Sequence, residues 1–346
     1  MTSLARAAAV SDYRELARRR LPRMLFEYID GGSYAESTLR RNVQDMELLC
    51  LRQRVMRDMS QLDTSVETLG QSLHLPLALG PVGLAGMFAR RGEVQAARAA
   101  AAAGVPLCLS TVAICSVEEV AREASPPWFQ LYVLKDRGYM RELLQRAHAA
   151  GCPVLVLTVD LPAPSARYRD VRSGFTGLTG WRGWLNRARD GLTHPGWLYD
   201  VWLRGRPHQL GSVTGALSAG ATSGDFLGWI AGNFDRSLTW KDIDWIRAEW
   251  DRPLVIKGVM TTEDADDAVR VGAQAIVVSN HGGRQLDGVR STITVLPEIA
   301  ERVGGAAELY LDGGVRSGLD VLKALALGAK ACLIGRGWAY ALGAGG

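Results

Sequence analysis

Eight short runs rich in Val, Ile and Leu recur from residue 76 onward, and their number and order constrain the fold more than any other feature. They are LPLALGPV (76–83), VPLCLS (105–110), WFQLYV (128–133), VLVLTVD (154–160), LVIKGV (254–259), AIVVSN (275–280), ELYLDGG (308–314) and ACLIGR (331–336). Between most of them lie helix-like segments such as GEVQAARAAAAAG, YMRELLQRAHAAG and LDVLKALALGA, several closing on Gly, the usual helix stop. A strand buried on both faces reads as a continuous apolar run, and strand–helix alternation implies parallel pairing. Eight such units predict a (β/α)8 TIM barrel in preference to a doubly wound sheet. The 346 residues hold such a barrel, ~250 residues in its usual form, with additions.

The additions are two. Residues 1–75 precede the first run, and YRELARRRLPRMLFEYIDGG reads as an amphipathic helix, a Pro break and a second helix stopped by Gly31 and Gly32. An insertion of roughly 161–252 separates the fourth and fifth runs, far longer than the ~2–6 residues of an ordinary connection. The expected organisation is one domain over 1–346, with a helical segment over 1–75 and the barrel over 76–346. The chain stops at WAYALGAGG, so the closing helix is expected to be at best begun and the C-terminus truncated.

Composition narrows the class. Hydrophobic residues make up 47% of the chain, and the net charge of +4 is too modest to suggest nucleic acid. Cys50, Cys108, Cys115, Cys152 and Cys332 form no CxxC pair and no metal-ligand spacing, so free thiols and no metal are expected. The N-terminus does not read as a signal peptide, and no apolar run reaches the roughly 18 residues of a spanning helix.

In a barrel, chemistry sits at the C-terminal ends of the strands. Those ends carry Pro81, Val82 and Gly83, then Ser110, Gln130 and Tyr132, Thr158 and Asp160, Lys257, Ser279 to Arg284, Asp312 to Arg316, and Gly335 with Arg336. Loops after the last two strands commonly hold phosphate, and Gly313, Gly314, Arg316, Gly335 and Arg336 suit that task. Ser110, Gln130 and Thr158 could hydrogen-bond a flat polar heterocycle beside the charge of Lys257. A phosphate-bearing ring cofactor would use all of these.

The stretch SNHGGRQLDG (279–288) then falls beside that ring. His281 is the residue type that serves most often as a general base near neutral pH, Arg284 offers a planar fork to a carboxylate, and Asp160 could orient the imidazole. A base and a carboxylate clamp next to a redox ring point to oxidation of a 2-hydroxy acid. The plainer alternatives are a pairing of Arg284 with Asp287 across the turn, a capping role for Asp160 and a Schiff base on Lys257.

These residues resemble the FMN-dependent 2-hydroxy acid dehydrogenase and oxidase family. SNHGGRQLDG is similar to its most specific motif, and the likeness runs through YIDGG, PVGLAGMFARRGEVQAARAA, LSTVAICSVEEVA, WFQLYVLKDRG, TVDLPAPSARYRD, WKDIDWIR, VIKGV, LDGGVRSG and LIGR. Within the family the likeness leans towards the bacterial membrane-associated L-lactate dehydrogenases. It implies FMN as cofactor and oxidation of an (S)-2-hydroxy acid, L-lactate to pyruvate, with (S)-mandelate as the rival substrate. By position it implies His281 as proton acceptor, taking either the hydroxyl or the α-proton, and Asp160 as its partner. Tyr28, Tyr132, Arg167 and Arg284 would hold the substrate. Pro81, Val82, Gly83, Ser110, Gln130, Thr158, Lys257, Ser279, Asp312, Gly313, Gly314, Arg316, Gly335 and Arg336 would hold FMN. A flavin-free isomerase or aldolase barrel is the reading of a different class.

The same likeness implies electron transfer to a membrane quinone or cytochrome and a homo-oligomer. Residues 171–210 carry Arg172, Arg182, Arg187, Arg189, Arg204 and Arg206 against two aspartates, interleaved with Trp181, Trp184, Trp197 and Trp202. Such a mixture suits peripheral contact with anionic lipid, expected on the cytoplasmic face of the inner membrane.

Overall fold

The computed structural model describes residues 3–176, 185, 188–213 and 232–346. Eight parallel strands follow the eight apolar runs: β3 (Leu77–Leu79), β4 (Cys108–Ser110), β5 (Trp128–Leu131), β6 (Leu155–Thr158), β7 (Leu254–Val259), β8 (Ala275–Val278), β9 (Glu308–Asp312) and β10 (Ala331–Ile334). They hydrogen-bond in the order β3-β10-β9-β8-β7-β6-β5-β4, and a parallel bridge from Leu79 to Leu107 joins the two ends. The result is the (β/α)8 TIM barrel that the alternation predicted.

Strand periodicity sorts the side chains. Ala78, Cys108, Trp128, Val156, Val255, Val277, Tyr310 and Leu333 form one buried cluster inside the barrel, while Leu155, Leu157, Ile256 and Ile276 pack outward in a second. Two residues further along each strand, on the same face, come Gly80, Ser110, Gln130, Thr158, Lys257, Ser279, Asp312 and Gly335. The top layer of the barrel interior is therefore polar or glycine on every strand. That layer is the floor of the site.

The N-terminal segment is richer than the sequence indicated. Helices Val10–Arg20 and Arg23–Asp30 are joined by a third, Ser37–Leu48. An antiparallel hairpin, β1 (Val66–Thr68) and β2 (Gln71–Leu73), then places Leu69 against the lower end of the barrel core. Helix Arg336–Gly345 follows β10 and lies on helix Val10–Arg20. A side chain at Gly343 would come within 2.8 Å of Leu21, so close helix packing requires glycine there.

The long connection between β6 and β7 includes helix Tyr168–Ser173, the turn Pro195–Trp197 continuing into Leu198–Leu203, and helix Ile243–Glu249. Of the residues that suggested membrane contact, Trp181, Trp184, Arg182 and Arg187 lie outside the described residues. Trp197 is corrected: it is buried, and its indole N–H donates to the Met87 carbonyl (2.7 Å). It fastens the insertion to the barrel and cannot settle into a headgroup layer. Arg172, Arg189, Trp202, Arg204 and Arg206 are exposed. No helix among the described residues is long and apolar enough to cross a membrane.

Candidate active site

A cavity of about 360 Å³ opens at the C-terminal end of the barrel. Pro81, Val82, Gly83, Tyr28, Tyr132, Arg167, Lys257, His281, Arg284, Asp312, Gly313, Gly314, Arg316, Gly335 and Arg336 all line it. Tyr28 reaches it from helix Arg23–Asp30, which no strand-end argument could have foreseen. Ser110, Gln130, Thr158, Ser279 and Asp160 lie beside this lining, at the ends of the same strands.

His281 is held by local backbone geometry. His281, Gly282 and Gly283 have φ of +57°, +62° and +72°, three successive left-handed residues that turn the chain sharply above β8. A side chain at Gly283 would strike the Leu39 backbone at 2.5 Å, so the motif's second glycine is dictated by packing against helix Ser37–Leu48. The imidazole Nδ1 meets Asp160 Oδ1 at 2.8 Å, and Nε2 lies 3.4 Å from Tyr132 Oη. Asp160 accepting from Nδ1 leaves Nε2 as the basic nitrogen facing the cavity. Burial pushes the His281 pKa down; Asp160 opposes this without reversing it, and Lys257 and Arg167 add to the lowering. The neutral imidazole is therefore the resting form at neutral pH.

Opposite stand two arginines. Arg284 Nη1 donates to the carbonyls of Tyr28 (2.6 Å) and Gly31 (2.9 Å), and its guanidinium lies over the Tyr28 ring at 4.9 Å. It does not pair with Asp287, whose carboxylate instead accepts from Ser37 and Thr38. Arg167 Nε donates to Ser165 Oγ and to the Arg284 carbonyl, both at 3.3 Å. Burial, reinforced by the charge of Arg284, pushes Arg167 down to about 10. The described acid nearest to it in an ion pair is Asp170, at 3.9 Å. Two half-buried guanidiniums so weakly compensated form a site for an anion.

Lys257 sits in the polar floor layer. Its Nζ pairs with Asp312 (2.8 Å) and donates to Ser279 Oγ (2.9 Å). Burial lowers the lysine pKa, but Asp312 and Asp160 together outweigh it and the net shift is upward. A lysine held protonated in this way is a poor Schiff-base nucleophile. Beside it, Ser110 Oγ donates to Gln130 Oε1 (3.2 Å), and Gln130 Nε2 donates to Thr158 Oγ1 (3.0 Å). These are buried polar groups linked edge to edge under the cavity.

At the other end, a Cβ on Gly335 would meet only Val82, at 4.0 Å, so the space above it is open to a ligand. Arg316 lines the same end. The Arg336 guanidinium lines the cavity and donates to the carbonyls of Ile29 (3.1 Å), Gly31 (2.8 Å) and Gly282 (2.8 Å). Burial pushes it down to about 9. A long cavity with a cation and amide-linked floor at one end and bare glycine backbone at the other fits a flavin ring with a phosphate tail. Several lining residues carried no signal in the sequence. Phe234 stacks on Tyr132 (5.0 Å), and Asp170 approaches the clamp from helix Tyr168–Ser173. Among the described residues, no group of His, Cys, Asp or Glu could hold a metal ion.

Comparison with known proteins agrees with this geometry. A family model described as FMN-dependent dehydrogenase matches residues 17–346. The chain is 56% identical over 340 residues to an L-lactate dehydrogenase of Haemophilus influenzae, covering 98% of this chain and 88% of that protein. It is 57% identical over 340 residues to an L-lactate dehydrogenase of Xanthomonas campestris pv. campestris, covering 98% and 87%. Among solved structures it is similar to a monotopic membrane protein, (S)-mandelate dehydrogenase, with a TM-score of 0.89, 34% identity and coverage of 98% and 89%. A mandelate oxidase structure with (S)-4-hydroxymandelic acid matches with a TM-score of 0.84, 37% identity and the same coverage.

Proposed function

The chain belongs to the FMN-dependent dehydrogenase family, and from that premise we propose that it oxidises L-lactate to pyruvate. The observation that carries the reading is the opposition, in one cavity, of a neutral His281 backed by Asp160 and the half-buried pair Arg167 and Arg284. A 2-hydroxy acid offers each what it lacks: a carboxylate for the arginines and a proton for the base. FMN, when bound, accepts the two electrons released as the hydroxy acid becomes the oxo acid.

The protein's own residues do the rest. Arg284 and Arg167 hold the substrate carboxylate, and Tyr28 and Tyr132 donate hydrogen bonds to it or to the hydroxyl. His281 Nε2 receives the proton, and Asp160 stabilises the imidazolium that results. Lys257, held by Ser279 and Asp312, would supply positive charge to the flavin ring, and Ser110, Gln130 and Thr158 would hydrogen-bond it. Pro81, Val82 and Gly83 would also hold the ring. Gly313, Gly314, Arg316 and Gly335 would hold the phosphate, and Arg336 would steady that end through its carbonyl bonds.

Electrons leave for a membrane quinone or cytochrome, from a homo-oligomer bound peripherally at the cytoplasmic face. Support for the membrane reading comes from the relative titled a monotopic membrane protein and from the surface of the insertion. There Leu192, Tyr199, Trp202 and Leu203 are exposed near Arg189, Arg204 and Arg206. (S)-Mandelate is the second reading, favoured by the structural neighbours. The L-lactate dehydrogenases at 56–57% identity outweigh neighbours at 34–37%. Anaerobic bleaching of the flavin by L-lactate, (S)-mandelate and glycolate ranks the substrates, and turnover with a quinone analogue against oxygen tests the acceptor. Faster bleaching by mandelate than by lactate would overturn the assignment.

A further inference from the structure

Arg169 lies outside the set of residues just assigned, yet it joins the parts that carry them. It sits in helix Tyr168–Ser173, two residues beyond Arg167, and its side chain is only a quarter exposed. Three carboxylates converge on its guanidinium. Nη2 donates to Asp30 Oδ2 (2.6 Å), Nε donates to Glu27, and Nη1 lies 3.5 Å from Glu36. Glu27 and Asp30 flank Tyr28 in sequence. The Arg169 stem packs beside Gly31, where a Cβ would meet the Glu27 carbonyl at 2.7 Å.

The backbone held in this way is the one that aims the clamp. The Tyr28 and Gly31 carbonyls accept from Arg284, and the Ile29 and Gly31 carbonyls accept from Arg336. On the other side, residues 164–167 together with Asp170 and Val171 cover the cavity. Neutral hydrogen bonds, Tyr34 N to the Ala166 carbonyl (2.8 Å) and Ser165 Oγ to the Arg284 carbonyl (2.5 Å), also tie this cover down. Arg169 adds ion pairs to that attachment, at a point where one partner, Asp30, is itself almost fully buried. Asp30 has two further donors, Arg14 (2.5 and 2.7 Å) and Tyr340 (2.7 Å), neither of them on the cover segment after β6.

We propose that Arg169 is a positioning residue for recognition of the substrate carboxylate: it latches the segment carrying Arg167 onto the turn that carries Tyr28 and aims Arg284. The proposal rests on the reading that the cavity takes a 2-hydroxy acid. Losing the latch lets the guanidiniums and the tyrosine drift relative to one another, which weakens binding. It leaves the His281–Asp160 pair, joined directly at 2.8 Å and not bonded to Arg169, able to act once substrate is bound.

The test uses FMN-loaded protein and the dependence of anaerobic flavin bleaching on L-lactate concentration. Arg169→Met should raise the half-saturating concentration about tenfold or more, while the limiting rate stays within about threefold and FMN content is unchanged. Arg169→Lys should fall between. Arg14→Met removes an equally close partner of Asp30 without touching the cover, and its half-saturating concentration should stay within about twofold of wild type. A merely structural salt bridge would lower the melting temperature in both variants and shift neither half-saturation value. An Arg169→Met value within twofold of wild type, or an equal rise in Arg14→Met, overturns the proposal. If Arg169→Met fails to hold FMN, Glu36→Gln, which weakens the same guanidinium from its outer side, decides: a rise of twofold or more supports the latch and no change refutes it. Wild-type protein that L-lactate does not bleach would sink the functional reading instead, and binding of oxalate, followed by flavin absorbance, would then test the latch on its own.

Discussion

Replacing Asp160 with Asn isolates the electrostatic half of the proposed base. The carboxylate lies 2.8 Å from His281 Nδ1, and both side chains are largely buried. When His281 takes the proton, opposite charges come to rest about 4 Å apart between their centres, an interaction of about 4 kcal/mol at an effective dielectric near 20. Removing it should slow flavin reduction by about 10³-fold, since each 1.36 kcal/mol is tenfold in rate. Asn also offers Nδ1 an amide that can donate, which favours the tautomer with its proton on Nε2, facing the substrate. The pH profile supplies a second signature. Burial already holds His281 below its ordinary 6.5, with Asp160 opposing. Because the base must be neutral, activity falls as pH drops through that lowered pKa, so the wild-type acid limb lies below 6.5. Without Asp160 the limb should move to still lower pH while the plateau falls. Anaerobic stopped-flow bleaching across pH, on protein checked for full FMN content, measures both. A variant within tenfold of wild type, with its acid limb unmoved, would show that Asp160 only caps the segment after β6.

Three further outcomes follow from the same geometry. Arg284→Lys keeps the charge but loses the fork that grips the Tyr28 and Gly31 carbonyls, so the half-saturating L-lactate concentration should rise about 10- to 100-fold, as expected for lost charge-assisted hydrogen bonds, with FMN occupancy unchanged; equilibrium titration checks it. Although burial opposes it, hydrogen bonds from Thr38 and Ser37 hold the Asp287 carboxylate at about 2, below its ordinary 3.8. Its stabilisation is complete above the ordinary value and disappears as pH falls to about 2, so acid unfolding of Asp287→Asn should be flatter over that window, read by circular dichroism. Vesicles of anionic lipid should co-sediment the protein and release it in high salt, and reversing Arg189, Arg204 and Arg206 to Glu should abolish binding while leaving bleaching by lactate intact; undiminished binding would assign the insertion to a lid or subunit contact.

The barrel was readable because a strand buried on both faces announces itself as an apolar run, and all eight runs became strands. The floor of the site was readable for a related reason. A period of two puts Gln130 above Trp128, Lys257 above Val255 and Asp312 above Tyr310, so a polar residue at a run's end must face the barrel axis. What the sequence did not reveal was partner choice within the protein. Asp312, next to the phosphate glycines in sequence, pairs with a lysine 55 residues earlier through the β7–β8–β9 neighbourhood. Arg336 lines the cavity as expected, while its fork also holds carbonyls at Ile29, Gly31 and Gly282. The hairpin Val66–Leu73 left no trace because three-residue strands are too short to show a period. Trp197 misled for the opposite reason, since an indole among arginines reads alike whether it faces lipid or core.

These failures share a physical origin that also explains the site's construction. Position along a strand fixes which way a side chain points, but only tertiary packing fixes what it meets there. The polar floor was visible because pointing was enough to define it. The clamp was not, because it is made where the N-terminal turn, the cover after β6 and the glycine loop after β8 meet, three segments with no common period. A site built in this way divides its labour. The rigid barrel holds the ring-binding floor, and Asp160 at the end of β6 ties the base to it, where small displacements would be most damaging to chemistry. The substrate clamp rests on loops latched to one another by buried charges, and loops can part and close again around a ligand without disturbing the strands. Perturbing the barrel layer should therefore change rate constants or cofactor retention, and perturbing the latch should change affinity, a division that steady-state kinetics of paired variants can read directly.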